Sequence, residues 1–158
     1  MHRPKIYLDT SVISHLHQLD VPEKMNDTLA LWEDLKRGLY DICISDVVLD
    51  EITQNSPTKQ QILFQYLAEI TYATIKVDHR IRVYADKLIE EGVLTEKSRD
   101  DCLHIASAVV SQCNMILSWN FKHIVKVKTV NGVRSINAML GYHGIDIFPP
   151  SMLVERGS

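Results

Sequence analysis

The stretch Lys5-Ile-Tyr-Leu-Asp-Thr-Ser-Val-Ile13 decides how this chain is read. Ile6, Tyr7 and Leu8 make an apolar run too short for a helix, which reads as a β-strand ending on an acid. Thr10 or Ser11 then supplies the cap for a helix over residues 12–19. Asp9 therefore stands at the carboxyl end of a strand, where open α/β sheets bind their ligands. It has a second reading of equal standing, as the cap of the helix that follows.

Outward from this stretch, strand and helix signals alternate. Pro22 suits a first helical position, and Leu29, Trp32, Leu35 and Leu39 recur at helical spacing until Gly38 loosens the end. Residues 40–44 read as a second strand. Ser45 or Asp46 starts a helix carrying Val48, Leu49 and Ile52, and another follows Pro57. A short strand is expected at 75–77, a helix over 79–91 closed by Gly92, and a helix running from Ser98 to about Gln112. A strand at 115–118, a helix over 132–140 and a last strand at 145–148 complete the pattern. Short apolar strands alternating with helices predict an α/β fold with a mainly parallel sheet. There is no repeat and no linker, so the expectation is a single domain over 1–158 with a peripheral tail after about 150.

The composition fits a globular protein: 158 residues, 46% apolar and 23% charged, with a net charge of −3. No apolar run approaches a membrane span, and the amino terminus lacks the apolar core of a secretion signal. A cytoplasmic location without membrane contact is expected. Cys43, Cys102 and Cys113 form no C-x-x-C pair and read as small buried residues. The charge is unevenly spread. From Cys102 through Ile145 there is no Asp or Glu, while Lys122, Lys126, Lys128 and Arg134 fall inside that stretch. A locally basic segment suits a polyanionic partner as well as it suits plain solvation.

Three acids stand apart from the ordinary surface acids. In the helix from Ser98, Asp100 shares a stripe with His104, Ser107 and Ser111, read as the polar face. Asp101 shares one with Ile105, Ala108 and Val109, read as apolar. A carboxylate aimed at the interior needs a cation, a donor or a proton. The competing reading is a capping box, Ser98-x-x-Asp101. Glu51 lies one helical turn beyond the second strand, beside the equally available Asp50. If Asp9, Glu51 and Asp101 converge, their hard oxygen donors select Mg²⁺ or Mn²⁺ and suit metal-assisted phosphoryl chemistry. His104 reads as a hydrogen-bonded helix residue, and Trp119 as packing beside a strand end with base stacking as the alternative.

At these residues the chain resembles the PIN-domain family. Leu8-Asp-Thr-Ser-Val-Ile13, Ile44-Ser-Asp-Val-Val-Leu-Asp-Glu-Ile52 and Asp101-Cys-Leu-His-Ile-Ala-Ser-Ala108 resemble its three acidic motifs. Leu117-Ser-Trp-Asn-Phe-Lys-His-Ile124 resembles the fourth motif of a bacterial branch related to VapC-type toxins. The resemblance implies a PIN-like three-layer fold, with about five mainly parallel strands flanked by helices. It also implies hydrolysis of RNA phosphodiester bonds with Mg²⁺ or Mn²⁺ held by Asp9, Glu51 and Asp101. Ser11 would lie near the attacking water, with a homodimer and a small antitoxin as partners. Asn120 stands where most nucleases of the family carry Asp. Its amide oxygen still offers a ligand to a hard cation but brings no charge, so the number of metals stays open. Lys122 and His123, with Lys126 beyond them, are the expected phosphate contacts beside Ser11 and Asn120.

Two rival readings remain. Phosphotransfer with Asp9 as nucleophile, as in haloacid-dehalogenase-type phosphatases, wants a second acid two residues on, where this chain has Ser11. A PIN fold with a weakened site, serving to bind RNA or protein, is the other, and Asn120 keeps it open.

Overall fold

A computed structural model describes residues 3–154, leaving Met1, His2 and the tail 155–158 outside. Its centre is a five-stranded sheet in the order β3-β2-β1-β4-β5, with every pair parallel. The strands are β1 (Lys5–Leu8), β2 (Asp41–Ser45), β3 (Tyr72–Ile75), β4 (Met115–Leu117) and β5 (Asp146–Phe148). The helices are α1 (Thr10–Ser14), α2 (Pro22–Lys36), α3 (Asp46–Ile52), α4 (Pro57–Leu67), α5 (His79–Glu90), α6 (Arg99–Val110) and α7 (Val127–Leu140). They flank the sheet in a three-layer α/β arrangement.

The chain builds outward from β1 to β2 and β3, then crosses to the other side of β1 for β4 and β5. The order in which strands are added therefore reverses between β1 and β4, and the crevice beyond their carboxyl ends is where such folds place a site. Ile6, Tyr7 and Leu8 of β1 are wholly buried because the strand is central and covered on both faces.

Several boundaries differ from the sequence reading. The first helix ends at Ser14 and tightens into a 3₁₀ turn over His15–His17. The strand expected at 75–77 starts three residues earlier and spans Tyr72–Ile75, paired on β2 from Ile42. Beyond it, the Val77 N–H leaves the ladder and donates to the Asp46 carboxylate at 3.2 Å. As an edge strand, β3 is only half covered, so its apolar pattern is weak. The last helix starts at Val127, five residues before Gly132, because β-branched Val127, Thr129 and Val130 read poorly as helix. Gly132 is interior to α7, where a Cβ would stand 2.6 Å from a methyl of buried Val93. At the carboxyl end, a 3₁₀ turn over Pro150–Met152 packs on α2, and Leu153 and Val154 rest against the core.

α6 corrects a further expectation. It packs against α5 and against β2 and β4, so His104 and Ser107 of the supposed polar stripe are as buried as Ile105 and Ala108. In its first turn the reading by stripes holds: Asp100 is exposed and Asp101 half-buried. All three cysteines are buried free thiols. Among the described residues, no helix is long and apolar enough to cross a membrane.

Candidate active site

Asp9, Thr10, Ser11, Ser14, His15, Glu51, Asp101, His104 and Asn120 line one cleft of about 300 Å³ beyond the ends of β1 and β4. Three separate segments supply its acids, two of them strand-to-helix junctions and the third the start of a helix that follows another helix. Asp9 follows β1, Glu51 sits in α3 after β2, and Asp101 opens α6.

Both readings of Asp9 coexist. Its extended backbone caps α1, and Oδ1 accepts the Val12 N–H at 3.2 Å. The same oxygen accepts from Ser11 Oγ, and Oδ2 accepts from Ser118 Oγ, each at 2.5 Å. Asp9 is only 2% exposed, and burial raises its pKa even though the charge of His104 and the two hydroxyls pull it down. Three donors fix the rotamer of an acid that the fold otherwise penalises.

Glu51 is half-buried. Burial would raise its pKa, but the hydrogen bond and charge of His104, with a bond from Thr10, outweigh burial and leave it lowered. The distances are 2.6 Å to His104 Nε2 and 2.7 Å to Thr10 Oγ1. His104 is itself 2% exposed, which favours the neutral ring, yet Glu51 together with the charges of Asp9 and Asp101 raises its pKa. On the far side of the ring, Nδ1 lies 2.7 Å from Tyr7 OH, which lies 2.8 Å from Ser45 Oγ. An imidazolium donates through both nitrogens, to Glu51 and to Tyr7, leaving the phenol to donate to Ser45. A buried relay from β2 through β1 and α6 thus holds Glu51 in place.

Ser98 makes no side-chain cap on α6, so the capping-box reading of Asp101 is not realised. Asp101 Oδ1 instead accepts from Asn120 Nδ2 at 3.3 Å. Burial raises the Asp101 pKa, with Asp9 and Glu51 adding to it while His104 and His123 oppose. The orientation of Asn120 follows from its neighbours. The His123 backbone N–H can only donate, and it donates to Asn120 Oδ1 at 2.9 Å. The amide oxygen is thereby engaged in the turn, and the amide nitrogen faces Asp101.

Of the residues expected at the site, Asp9, Ser11, Glu51, Asp101 and Asn120 come together. His123 adjoins through its backbone bond to Asn120, while Lys122 and Lys126 are exposed and do not line the cleft. Trp119 is packing: 7% exposed, with its indole N–H donating to Thr28 Oγ1 at 2.8 Å. Sequence reasoning missed Thr10, Ser14, His15, Ser118 and the depth of His104. His104 was findable, since it stands one helical turn after Asp101 and shares its face as readily as that of Asp100.

The donor set, three carboxylates of which Asp9 and Asp101 are raised in pKa by burial and Glu51 is held by His104 and Thr10, suits a hard divalent cation in type. Among the described residues, however, no three His, Cys, Asp or Glu side chains already surround one point at ligand distance.

No family model matches the chain, and no curated protein matches it either. Among solved structures it is similar to a chain of VapBC2 from Rickettsia felis, crystallised bound to a DNA fragment from their promoter. The two are 15% identical, the match covers 72% of this chain and 86% of that one, and the TM-score is 0.53. A likeness at this identity is a likeness of fold.

Proposed function

We propose that this chain is a metal-dependent ribonuclease that hydrolyses RNA phosphodiester bonds, and that it is the toxin of a toxin–antitoxin pair. One observation carries the enzymatic reading. Carboxylates from three separate segments meet in a single cleft at the reversal point of a parallel sheet, and burial pushes two of them up in pKa. A fold tolerates such a cluster where a ligand relieves it.

Asp9, Glu51 and Asp101 would hold Mg²⁺ or Mn²⁺. Such an ion supplies charge to the phosphate and makes water a better nucleophile at neutral pH. The chain's own groups do the positioning. Ser11 and Ser118 hold the Asp9 carboxylate, and the Tyr7–His104 relay with Thr10 holds Glu51. The Asn120 amide nitrogen gives one hydrogen to Asp101 and would offer its second to a phosphate oxygen. As water adds to phosphorus the ester P–O bond breaks, and the proton that the water loses is balanced by the one that the leaving oxygen gains.

The toxin role, a small antitoxin partner, a homodimer, a single domain through the whole chain and a cytoplasmic location belong to the same proposal. The fold likeness to VapBC2 supports its toxin–antitoxin part. The engaged oxygens of Asn120 and Glu51 favour a second reading, a weakened module that binds RNA or protein without cutting.

Assorted RNAs incubated with the protein in Mg²⁺ or Mn²⁺, with and without chelator, decide between them. Cleavage should require metal and disappear in Asp9→Asn and Asp101→Asn proteins that keep their circular dichroism. Metal-independent cutting, or cutting that survives both substitutions, would exclude the proposed site. RNA binding without cutting under any metal would leave the second reading.

A further inference from the structure

The loop after β4 carries more than Asn120. The Trp119 backbone N–H donates to Ser11 Oγ at 2.8 Å, and Ser11 in turn donates to Asp9. Its indole is tied to Thr28 on α2. The buried ring is therefore anchored both to the acid cleft and to a neighbouring helix. His15, which lines the cleft, lies against it with ring centroids 5.8 Å apart, and Phe121 meets it edge-on at 6.3 Å. Phe121 is 45% exposed. Lys24 Nζ lies over both rings, 5.7 Å from the Trp119 centroid and 5.2 Å from that of Phe121.

A lone exposed phenylalanine needs no explanation. This one is backed by a fixed aromatic, has an ammonium over it and stands one residue beyond the cleft wall. An apolar protein segment would use the ring and leave the ammonium without a role, and a duplex would hide its base faces. A strand with unpaired bases carries both matching chemistries, a π-face and a phosphate.

We infer that Phe121, backed by Trp119 and flanked by Lys24, is the platform on which an unpaired nucleobase beside the scissile phosphodiester stacks, with the Lys24 ammonium meeting a phosphate of the same strand. The inference rests on the nuclease reading and assigns the residues that would seat one base next to the cut. Phe121 and Lys24 act on substrate position and choice, while the acids do the chemistry.

The test is binding of labelled single-stranded oligoribonucleotides to the whole chain in chelator, where no strand is cut. Phe121→Ala should weaken binding about 10-fold, the scale of one base–aromatic stack, and Phe121→Tyr should restore it. Lys24→Gln should weaken binding and flatten its salt dependence. An abasic nucleotide scanned along the oligonucleotide should find one position that matters in wild type and no longer matters in Phe121→Ala. Binding of the matching duplex should be the same in both proteins, and Mn²⁺ titration of Phe121→Ala should match wild type. Unchanged single-strand binding in Phe121→Ala, or an abasic scan with no such position, overturns the inference. So does a change of mass in light scattering with RNA binding intact, which would make the ring a contact between copies. If wild type cuts RNA and Phe121→Ala binds and cuts equally well, the platform falls and the nuclease reading stands. If wild type binds through Phe121 yet never cuts with any metal, the platform stands and the nuclease reading falls. A wild type that binds no RNA overturns both.

Discussion

Asn120 shows how much one side chain's hydrogen bonds decide. Its oxygen is committed to the His123 N–H and its nitrogen to Asp101. Asn120→Asp would keep the first bond and turn the second into a contact between two carboxylates. In metal-free buffer this should cost about 1 kcal/mol, the scale of partly exposed charge contacts. With Mn²⁺ the order should reverse, and the variant should show the larger metal-induced rise in thermal midpoint and the tighter calorimetric titration. A variant no less stable without metal and no tighter with it would mean that this position faces away from the cation. Asp101 and its neighbour separate cleanly. Asp101→Ala should lose at least about 100-fold in cleavage, since even outer partners of a metal cost 10–100-fold. Exposed Asp100 should tolerate Ala with near wild-type rates, and equal losses at the two would refute the assignment. The site also sets a pH dependence. Asp9, Asp101 and His104 all have folded pKa values above their ordinary ones. Each therefore binds its proton more tightly in the folded state, and the stability this confers is lost as pH rises through the folded value. Glu51 is shifted downward and works the other way, its contribution being lost only as pH falls through its lowered value. Without metal, the thermal midpoint should fall as pH rises from about 6 to 8, the window bracketing and exceeding the ordinary His value of 6.5. His104→Gln should flatten that fall, and a midpoint that climbs over the window would contradict the shifts.

At the scale of elements, α7 gives the sharpest expectation. A glycine inside an exposed helix is normally improved by alanine, by up to about 1 kcal/mol. Gly132 is different because the added Cβ would stand 2.6–2.7 Å from the methyls of Val93, a buried side chain with little rotamer freedom. Overpacking of this kind costs about 1–3 kcal/mol, so Gly132→Ala should be a net loss of about 1–2 kcal/mol in urea unfolding. Val93→Ala should reverse the sign of the Gly132 effect, since it removes the methyls that clash. Failure of the pair to couple would show that α7 does not approach Val93 this closely. The same contact explains why the glycine misled the sequence reading. It looked like a helix start, and it is a helix interior chosen for a neighbour distant in sequence. The edge strand β3 misled for the opposite reason, having too little burial on either face to show a pattern.

At the scale of the molecule, charge is divided by place. Asp9, Glu51 and Asp101 gather at one cleft, and Lys24 and Lys59 stand near His15 on its wall: burial lowers the His15 pKa most, and these two charges lower it further. The acid-free stretch from Cys102 to Ile145 places Lys122 and Lys126 on the exposed surface beyond Asn120. If the strand leaves the cleft over that loop, Lys122→Gln with Lys126→Gln should flatten the slope of log affinity against log salt by about 0.7 for each phosphate that is no longer neutralised. All sequences should weaken alike. An unchanged slope would confine the path to the Lys24 side.

The order of strands and helices, the strand-end place of Asp9 and the half-buried face of Asp101 were legible in sequence because they follow from local periodicity. Turn and cap chemistry is equally local, which is why Pro22, Pro57 and Gly92 mark boundaries correctly. The meeting of Asp9, Glu51 and Asp101 was an expectation that only the crossing from β3 to β4 around β1 turned into one cleft. Burial of His104 and Ser107, the packing of Trp119 and the commitment of both ends of the Asn120 amide were decided by tertiary structure alone. Periodicity reports which face a residue occupies along its own element, and carries no information on what the rest of the chain lays over that face.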